Sequence, residues 1–152
     1  MRRKRVMVIG PTGCGKTALV NALNENDGPL KKTQNMIYGK NTIDVPGSYL
    51  ENPNMYKHLI AAAQDASHIL ILADSTRRAD VYPPGFAKAF RVPVIGIVTK
   101  CDIAEQQEDQ SIRQLKNAGV AEPYFRISIS NREGINALKI YLFGAISEGE
   151  SE

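Results

Sequence analysis

Short apolar runs rich in β-branched residues alternate along this chain with longer segments of mixed polarity. Residues 6–9, 69–72 and 94–98 are apolar at successive rather than alternate positions, and residues 125–129 follow as a fourth run. Strands buried on both faces of a parallel sheet have this pattern. Between the runs lie amphipathic segments at residues 16–24, 55–65, 106–117 and 134–143, each long enough for a helix. Two further runs, Met36-Ile37-Tyr38 and Thr42-Ile43, flank Gly39-Lys40, a turn pair that folds them back as a hairpin. Pro83-Pro84-Gly85 stiffens a loop ahead of a short helix at residues 86–90. The alternation predicts a three-layer α/β fold around a mostly parallel six-stranded sheet with one antiparallel edge strand. Residues 147–152 carry no apolar side chain and read as a flexible C-terminal tail behind one domain at residues 1–146.

The length, 152 residues with 43% hydrophobic and 23% charged, suits a single domain with its own core. Cys14 and Cys101 are the two cysteines, and with no paired Cys or Cys/His spacing they argue against a disulfide framework or a structural zinc site. A reducing, cytoplasmic location is expected. Met1-Arg2-Arg3-Lys4-Arg5 resembles the head of an export signal, but only four apolar residues follow before Gly10-Pro11, too few to export the chain or span a bilayer. No transmembrane segment is expected. The net charge of +3 and this basic cluster, without interleaved aromatics, read as a solvated terminus, so no nucleic-acid partner is expected.

The sharpest chemistry lies directly after the first strand. Gly10-Pro11-Thr12-Gly13-Cys14-Gly15-Lys16-Thr17 fits G-x-x-x-x-G-K-S/T between a buried strand and a helix. Glycines there let successive backbone N–H groups turn inward as an anion nest, and the following helix adds the positive end of its dipole. Lys16 then places a charge between the β- and γ-phosphates of a nucleotide, and the Thr17 hydroxyl ligates Mg²⁺. A Gly-rich turn that merely ends in Lys-Thr would match by chance about once in a hundred chains of this length.

Later residues address the base and the γ-phosphate. Asp44-Val45-Pro46-Gly47 reads as D-x-x-G, in which Asp44 holds Mg²⁺ through water and the Gly47 backbone N–H reaches the γ-phosphate. Lys16 and the Gly47 backbone are the groups expected to act in catalysis. Thr99-Lys100-Cys101-Asp102 follows the strand at residues 94–98, where an open α/β sheet places its ligand crevice. The Asp102 carboxylate can accept from both N1–H and the 2-amino group of guanine. Adenine lacks that donor pair and would leave the carboxylate short of partners at a cost of about 1–3 kcal/mol. The Lys100 stem can lie across the base, and Ser128-Ile129-Ser130 at the end of the last strand could offer a backbone N–H to guanine O6.

With these motifs assembled, the chain resembles the small Ras-like P-loop GTPases over essentially its full length. Within them it is similar to the EutP/PduV family, linked to ethanolamine and propanediol utilisation in bacteria. The likeness is carried by V-M-V-I-G-P-T-G-C-G-K-T-A-L-V-N-A-L-N, by I-D-V-P-G-S-Y-L-E-N-P, and by the closely following A-A-A-Q-D-A and L-A-D-S-T. The resemblance implies GTP and GDP binding with Mg²⁺, slow hydrolysis, and two segments ordered by the γ-phosphate. These would be residues 27–34, with Thr33 as a second Mg²⁺ ligand, and residues 44–56. Thr42 competes with Thr33 for that role, although its place in a strand favours a structural one. The family context also implies association with a bacterial microcompartment shell or a pathway protein.

Three residues or spans depart from the wider pattern. Thr99 stands where most small GTPases carry Asn, which reduces contact with the base. Ser48 stands where Ras has a water-positioning Gln and is too short for that role, so hydrolysis is expected to be slow or partner-activated. The span from Thr33 to Asp44 is short and leaves little effector surface. Two other readings stay open: an ATP-dependent small-molecule kinase or acyl-phosphate phosphotransferase, and a nucleotide-gated, non-catalytic interaction module. His58 and His68, the only histidines, read as structural. Cys14 and Cys101 read as small filler residues, and Arg77 and Arg78 receive no role.

Overall fold

A computed structural model of the chain describes residues 4–11, 16–25, 28, 31–33, 36–47, 52–74, 82–99, 108–128 and 132–144. Strand β1 (Arg5–Ile9) leads to helix α1 (Lys16–Leu23), then to three short strands, β2 (Lys31–Thr33), β3 (Met36–Tyr38) and β4 (Thr42–Asp44). Helix α2 (Tyr56–Ala63), strand β5 (Ala66–Asp74), a 3-10 turn (Phe86–Ala89), strand β6 (Val94–Thr99), helix α3 (Glu108–Asn117), strand β7 (Tyr124–Ile127) and helix α4 (Arg132–Phe143) complete the chain order.

Among the described residues the strands form one sheet in the order β2-β3-β4-β1-β5-β6-β7. Pairings of β1 with β4 and β5, of β5 with β6, and of β6 with β7 are parallel, whereas β3 runs antiparallel to both β2 and β4. The mostly parallel α/β architecture is as expected, and the Gly39-Lys40 hairpin forms. One strand more than the six expected is present. Residues 31–33 pair outside β3, so the antiparallel strand lies one position in from the edge. Lys31-Lys32-Thr33 lacks an apolar run, and its strand state comes from the hydrogen bonds β3 offers, a tertiary effect that sequence patterning does not register.

Successive strand residues face opposite sides of the sheet, and in β1 and β5 both sides are buried. Val6, Val8, Leu70 and Leu72 pack with Leu19 and Leu23 of α1 and Ile135 and Leu138 of α4. Met7, Ile9, Ile69 and Ile71 pack on the other side with Leu59 of α2, Leu115 of α3 and Phe86. Each such buried side chain contributes roughly 1.5–3 kcal/mol, which is why the central runs are apolar at every position. Gly96 lies within β6 because a Cβ there would fall 2.6 Å from the Tyr124 ring and 3.0 Å from Leu115.

The basic start is only partly a solvated terminus. Lys4 is exposed, but Arg5 is half-buried: its Nε donates to the Gly39 carbonyl at 2.6 Å, and its guanidinium lies 5.5 Å from the centre of the Tyr38 ring. A flat cation with directed donors suits both contacts. Arg5 therefore clamps the hairpin turn onto β1. The tail at residues 147–152 lies outside the described residues.

Candidate functional site

Chain order and sheet order together fix where a ligand can sit. From β1 the chain moves to one side to build β2, β3 and β4, then crosses back to build β5, β6 and β7 on the other. The reversal lies at the carboxyl end of β1, the crevice position of open α/β sheets. Gly10 and Pro11 stand there, buried, and Lys16 opens α1 beyond them. Thr12, Gly13, Cys14 and Gly15 lie outside the described residues, as do Lys100, Cys101, Asp102 and Ile129.

The parallel register lines up the strand ends. Val8 pairs with Asp44, Ile9 with Ile71, Asp74 with Thr99, and Thr99 with Ile127, which Ser128 follows. Asp44, Gly10, Asp74, Thr99 and Ser128 thus share one rim of the sheet. Gly47 lies three positions beyond Asp44, half-buried. Asp74 is 2% exposed; it lies in the L-A-D-S-T stretch of the family likeness but was given no role, because it ends an apolar run without a spacing signature.

At the phosphate-loop end of this rim, Lys16 Nζ donates to the Val45 carbonyl and stands 3.1 Å from Asp44 Oδ1. The contact with Asp44 is electrostatic, because Oδ1 is buried and accepts no hydrogen bond among the described residues. Thr17 is exposed one position after Lys16. Thr17 and Asp44 line a common cavity of about 120 Å³ with Asn21, Asn24 and Thr42. Two hard oxygen donors on one cavity, one with an unfilled lone pair, fit a small divalent cation such as Mg²⁺. Among the described residues no group of three or more His, Cys, Asp or Glu side chains could hold a metal.

Of the two threonines that could supply another metal ligand, Thr42 is fully buried and its Oγ1 accepts from Asn24 Nδ2 at 2.9 Å. Asn24 Oδ1 accepts from the Asn41 backbone N–H at 2.7 Å, and Asn41 Nδ2 donates to the Leu23 carbonyl at 2.8 Å. This network joins the end of α1 to the hairpin that carries Asp44. Sequence reading missed it, since lone asparagines carry no motif. Thr33 ends β2 opposite Met36.

At the opposite end of the rim, Thr99 is 4% exposed and its Oγ1 donates to the Ala73 carbonyl at 3.3 Å. The hydroxyl ties β6 to β5. Ser128, also buried, closes this end of the rim.

The histidines lie elsewhere. His58 is half-buried on α2. His68 stands near the amino end of β5, away from the phosphate loop, with Nδ1 3.0 Å from Ser67 Oγ and its ring edge-on to Tyr141. Burial holds its pKa below the usual 6.5, because desolvation disfavours the imidazolium.

Comparison with known proteins adds identity to this geometry. The family model for ethanolamine utilisation and propanediol utilisation, PduV-EutP, matches residues 3–143. The chain is 36% identical over 140 residues to propanediol utilization protein PduV of Citrobacter freundii, covering 91% of this chain and 93% of that one. It is 30% identical over 151 residues to the probable acetate kinase EutP of Salmonella typhimurium, covering 98% and 94%. Among solved structures, the cytosolic domain of the FeoB iron transporter of T. maritima, in a GDP form, superposes with a TM-score of 0.67 at 21% identity. That alignment spans 97% of this chain and 65% of the longer FeoB chain, and it shows that the two share a fold. The chain belongs to the PduV-EutP family of ethanolamine and propanediol utilisation proteins.

Proposed function

We propose that the protein binds GTP and GDP with Mg²⁺ and hydrolyses GTP slowly, as a nucleotide-dependent switch in ethanolamine or propanediol utilisation. The observation that carries this reading is the meeting of Lys16 and Asp44 at 3.1 Å, where the chain reverses direction across the sheet. A lysine and an aspartate from distant segments there are the pair that a Mg²⁺-nucleotide separates: the cation turns to the phosphates and the carboxylate is released toward Thr17. Gly10 to Thr17 would cradle the phosphates, and Thr17, with Asp44 through water, would hold Mg²⁺; Thr33 is the proposed further ligand. Bound Mg²⁺ would neutralise charge on the β- and γ-phosphates. Lys16 would hold the bridging region, and the Gly47 N–H would meet the γ-phosphate. Lys100, Asp102, Thr99, Ser128 and Ile129 would form the base pocket, with Asp102 setting the guanine preference. Residues 1–146 would act as one cytoplasmic domain, associated with a microcompartment shell or a pathway protein.

A second reading follows from the Salmonella typhimurium relative, the probable acetate kinase EutP. On that reading the same loop would hold ATP, and acetate would accept the γ-phosphoryl group to give acetyl phosphate.

Calorimetric titration of GTP, GDP, ATP and ADP, with and without Mg²⁺, separates the two. The switch reading expects guanine nucleotides to bind at least tenfold tighter than adenine nucleotides, Lys16→Ala to abolish binding, and Asp102→Asn to shift preference toward xanthine nucleotides. ATP binding in preference to GTP, together with hydroxylamine-trapped acetyl phosphate from ATP and acetate, would replace it with the kinase reading.

A further inference from the structure

Tyr82 is 4% exposed, and a buried phenol needs a partner for its hydroxyl. Its oxygen lies 2.5 Å from the Leu72 carbonyl and 3.5 Å from the Ile9 carbonyl. These acceptors belong to β5 and β1, whose ends lie side by side with Ile9 opposite Ile71. Ile9 is the residue before Gly10, so the Tyr82 hydroxyl sits at the root of the phosphate loop. One proton cannot serve two carbonyls equally. The short bond holds Leu72, and a small displacement of the ring or of β1 would hand the proton to Ile9.

The ring is coupled to a second element. Tyr82 stacks on Phe86, with centroids 5.5 Å apart and planes at 28°, and Phe86 meets Tyr56 edge-on at 5.6 Å and Phe90 at 5.4 Å. Tyr56 is the first residue of α2. It ends the span, residues 44–56, that carries Asp44 and Gly47. A groove of about 140 Å³ lies over this stack, lined by Tyr56, Ile60, Pro83, Phe86 and Phe90. The aromatic chain thus connects the start of α2 with the carbonyl from which the phosphate loop departs.

We infer that Tyr82 is a positioning residue for the phosphate loop, setting the height of its first residues through the Leu72 and Ile9 carbonyls and linking that height to α2 through Phe86. The inference rests on the reading that Gly10 to Thr17 binds nucleotide phosphates. It concerns a residue outside every motif of that reading.

The test uses the full chain. Tyr82→Phe removes the hydroxyl and keeps the stack, and is expected to weaken GDP and GTP binding about five- to tenfold. Labelling wild type with 3-fluorotyrosine, and assigning the Tyr82 fluorine signal by its loss in Tyr82→Phe, gives a readout that does not depend on the variant's stability. That signal is expected to shift on saturation with Mg²⁺-GDP and to shift again in Tyr56→Leu, which alters the stack without touching the hydroxyl. Tyr82→Phe binding within twofold of wild type, or a Tyr82 signal unmoved by nucleotide, overturns the positioning role while wild-type binding and its loss in Lys16→Ala leave the phosphate-loop reading intact. Wild type that binds no nucleotide at all overturns both.

Discussion

Replacing Asn24 with alanine tests the contact that holds the Asp44 hairpin to α1. The side chain makes two buried hydrogen bonds, to Thr42 Oγ1 at 2.9 Å and from the Asn41 backbone N–H at 2.7 Å. Asn24, Asn41 and Thr42 are each no more than 6% exposed, so both bonds are made away from bulk solvent. Alanine leaves the Asn41 N–H without its acceptor, at about 1–3 kcal/mol, and opens a gap beside Gly39, where a Cβ would now stand only 2.6 Å from Asn24 Nδ2. Together these effects sum to about 2–4 kcal/mol. For a domain of this size that lowers Tm by roughly 5–15 °C. Urea and thermal denaturation of Asn24→Ala, Thr42→Val and the double variant provide the assay. Their effects should fall short of additivity by about 0.5–1.5 kcal/mol, because the first change already removes the bond that the second would break. A melting temperature for Asn24→Ala within about 2 °C of wild type, or strict additivity, would refute the argument that this network secures the hairpin.

Gly134→Ala should cost more than Gly96→Ala, although both fill a tight space. The added Cβ at residue 134 would lie 2.3 Å from the Arg126 carbonyl oxygen, a backbone atom, whereas at residue 96 it meets the side chains of Tyr124 and Leu115, which can shift; comparing urea midpoints ranks them. His68 should lower acid stability. Because burial depresses its folded pKa below 6.5, the unfolded chain takes up a proton first, so its contribution is full above about 6.5 and is lost as pH falls through the folded value. His68→Gln should flatten that part of the pH profile, and an equal loss in both proteins between pH 7 and pH 5 would remove His68 as the cause.

Fold class was legible because the central strands are buried on both sides and so cannot hide polar residues: Val6, Val8, Met7 and Ile9 each have no exposure. The hairpin was legible because Gly39-Lys40 separates two short runs. Strand β2 was not, since Lys31-Lys32-Thr33 becomes a strand only through pairing with β3. The candidate phosphate and metal residues were legible as motifs of fixed spacing, which survive without knowledge of contacts. Contacts with no spacing rule were invisible: the Asn24–Asn41–Thr42 network, the Tyr82 hydroxyl, and Arg5 reaching the Gly39 carbonyl. Thr99 was read as a departure within the T-K-x-D motif, and the bond of its hydroxyl to the Ala73 carbonyl depends on a β5–β6 register that no single run reveals.

The position of β1 at the centre of the sheet also sets an order of assembly. Its Val6 pairs with Thr42 on one side and His68 on the other, so neither partner is local in the chain, and loop closure must precede both contacts. The β3–β4 hairpin, with Tyr38 opposite Ile43, closes over a few residues and can form in microseconds. It is expected to serve as the template on which β1 docks, with β5 enclosing β1 afterwards from the far side. Amide protection in a pulse-labelling experiment should accordingly appear in residues 36–44 before it appears in residues 66–74. The short strand that carries Asp44 would then be the seed of the sheet as well as part of the rim that bears the candidate site.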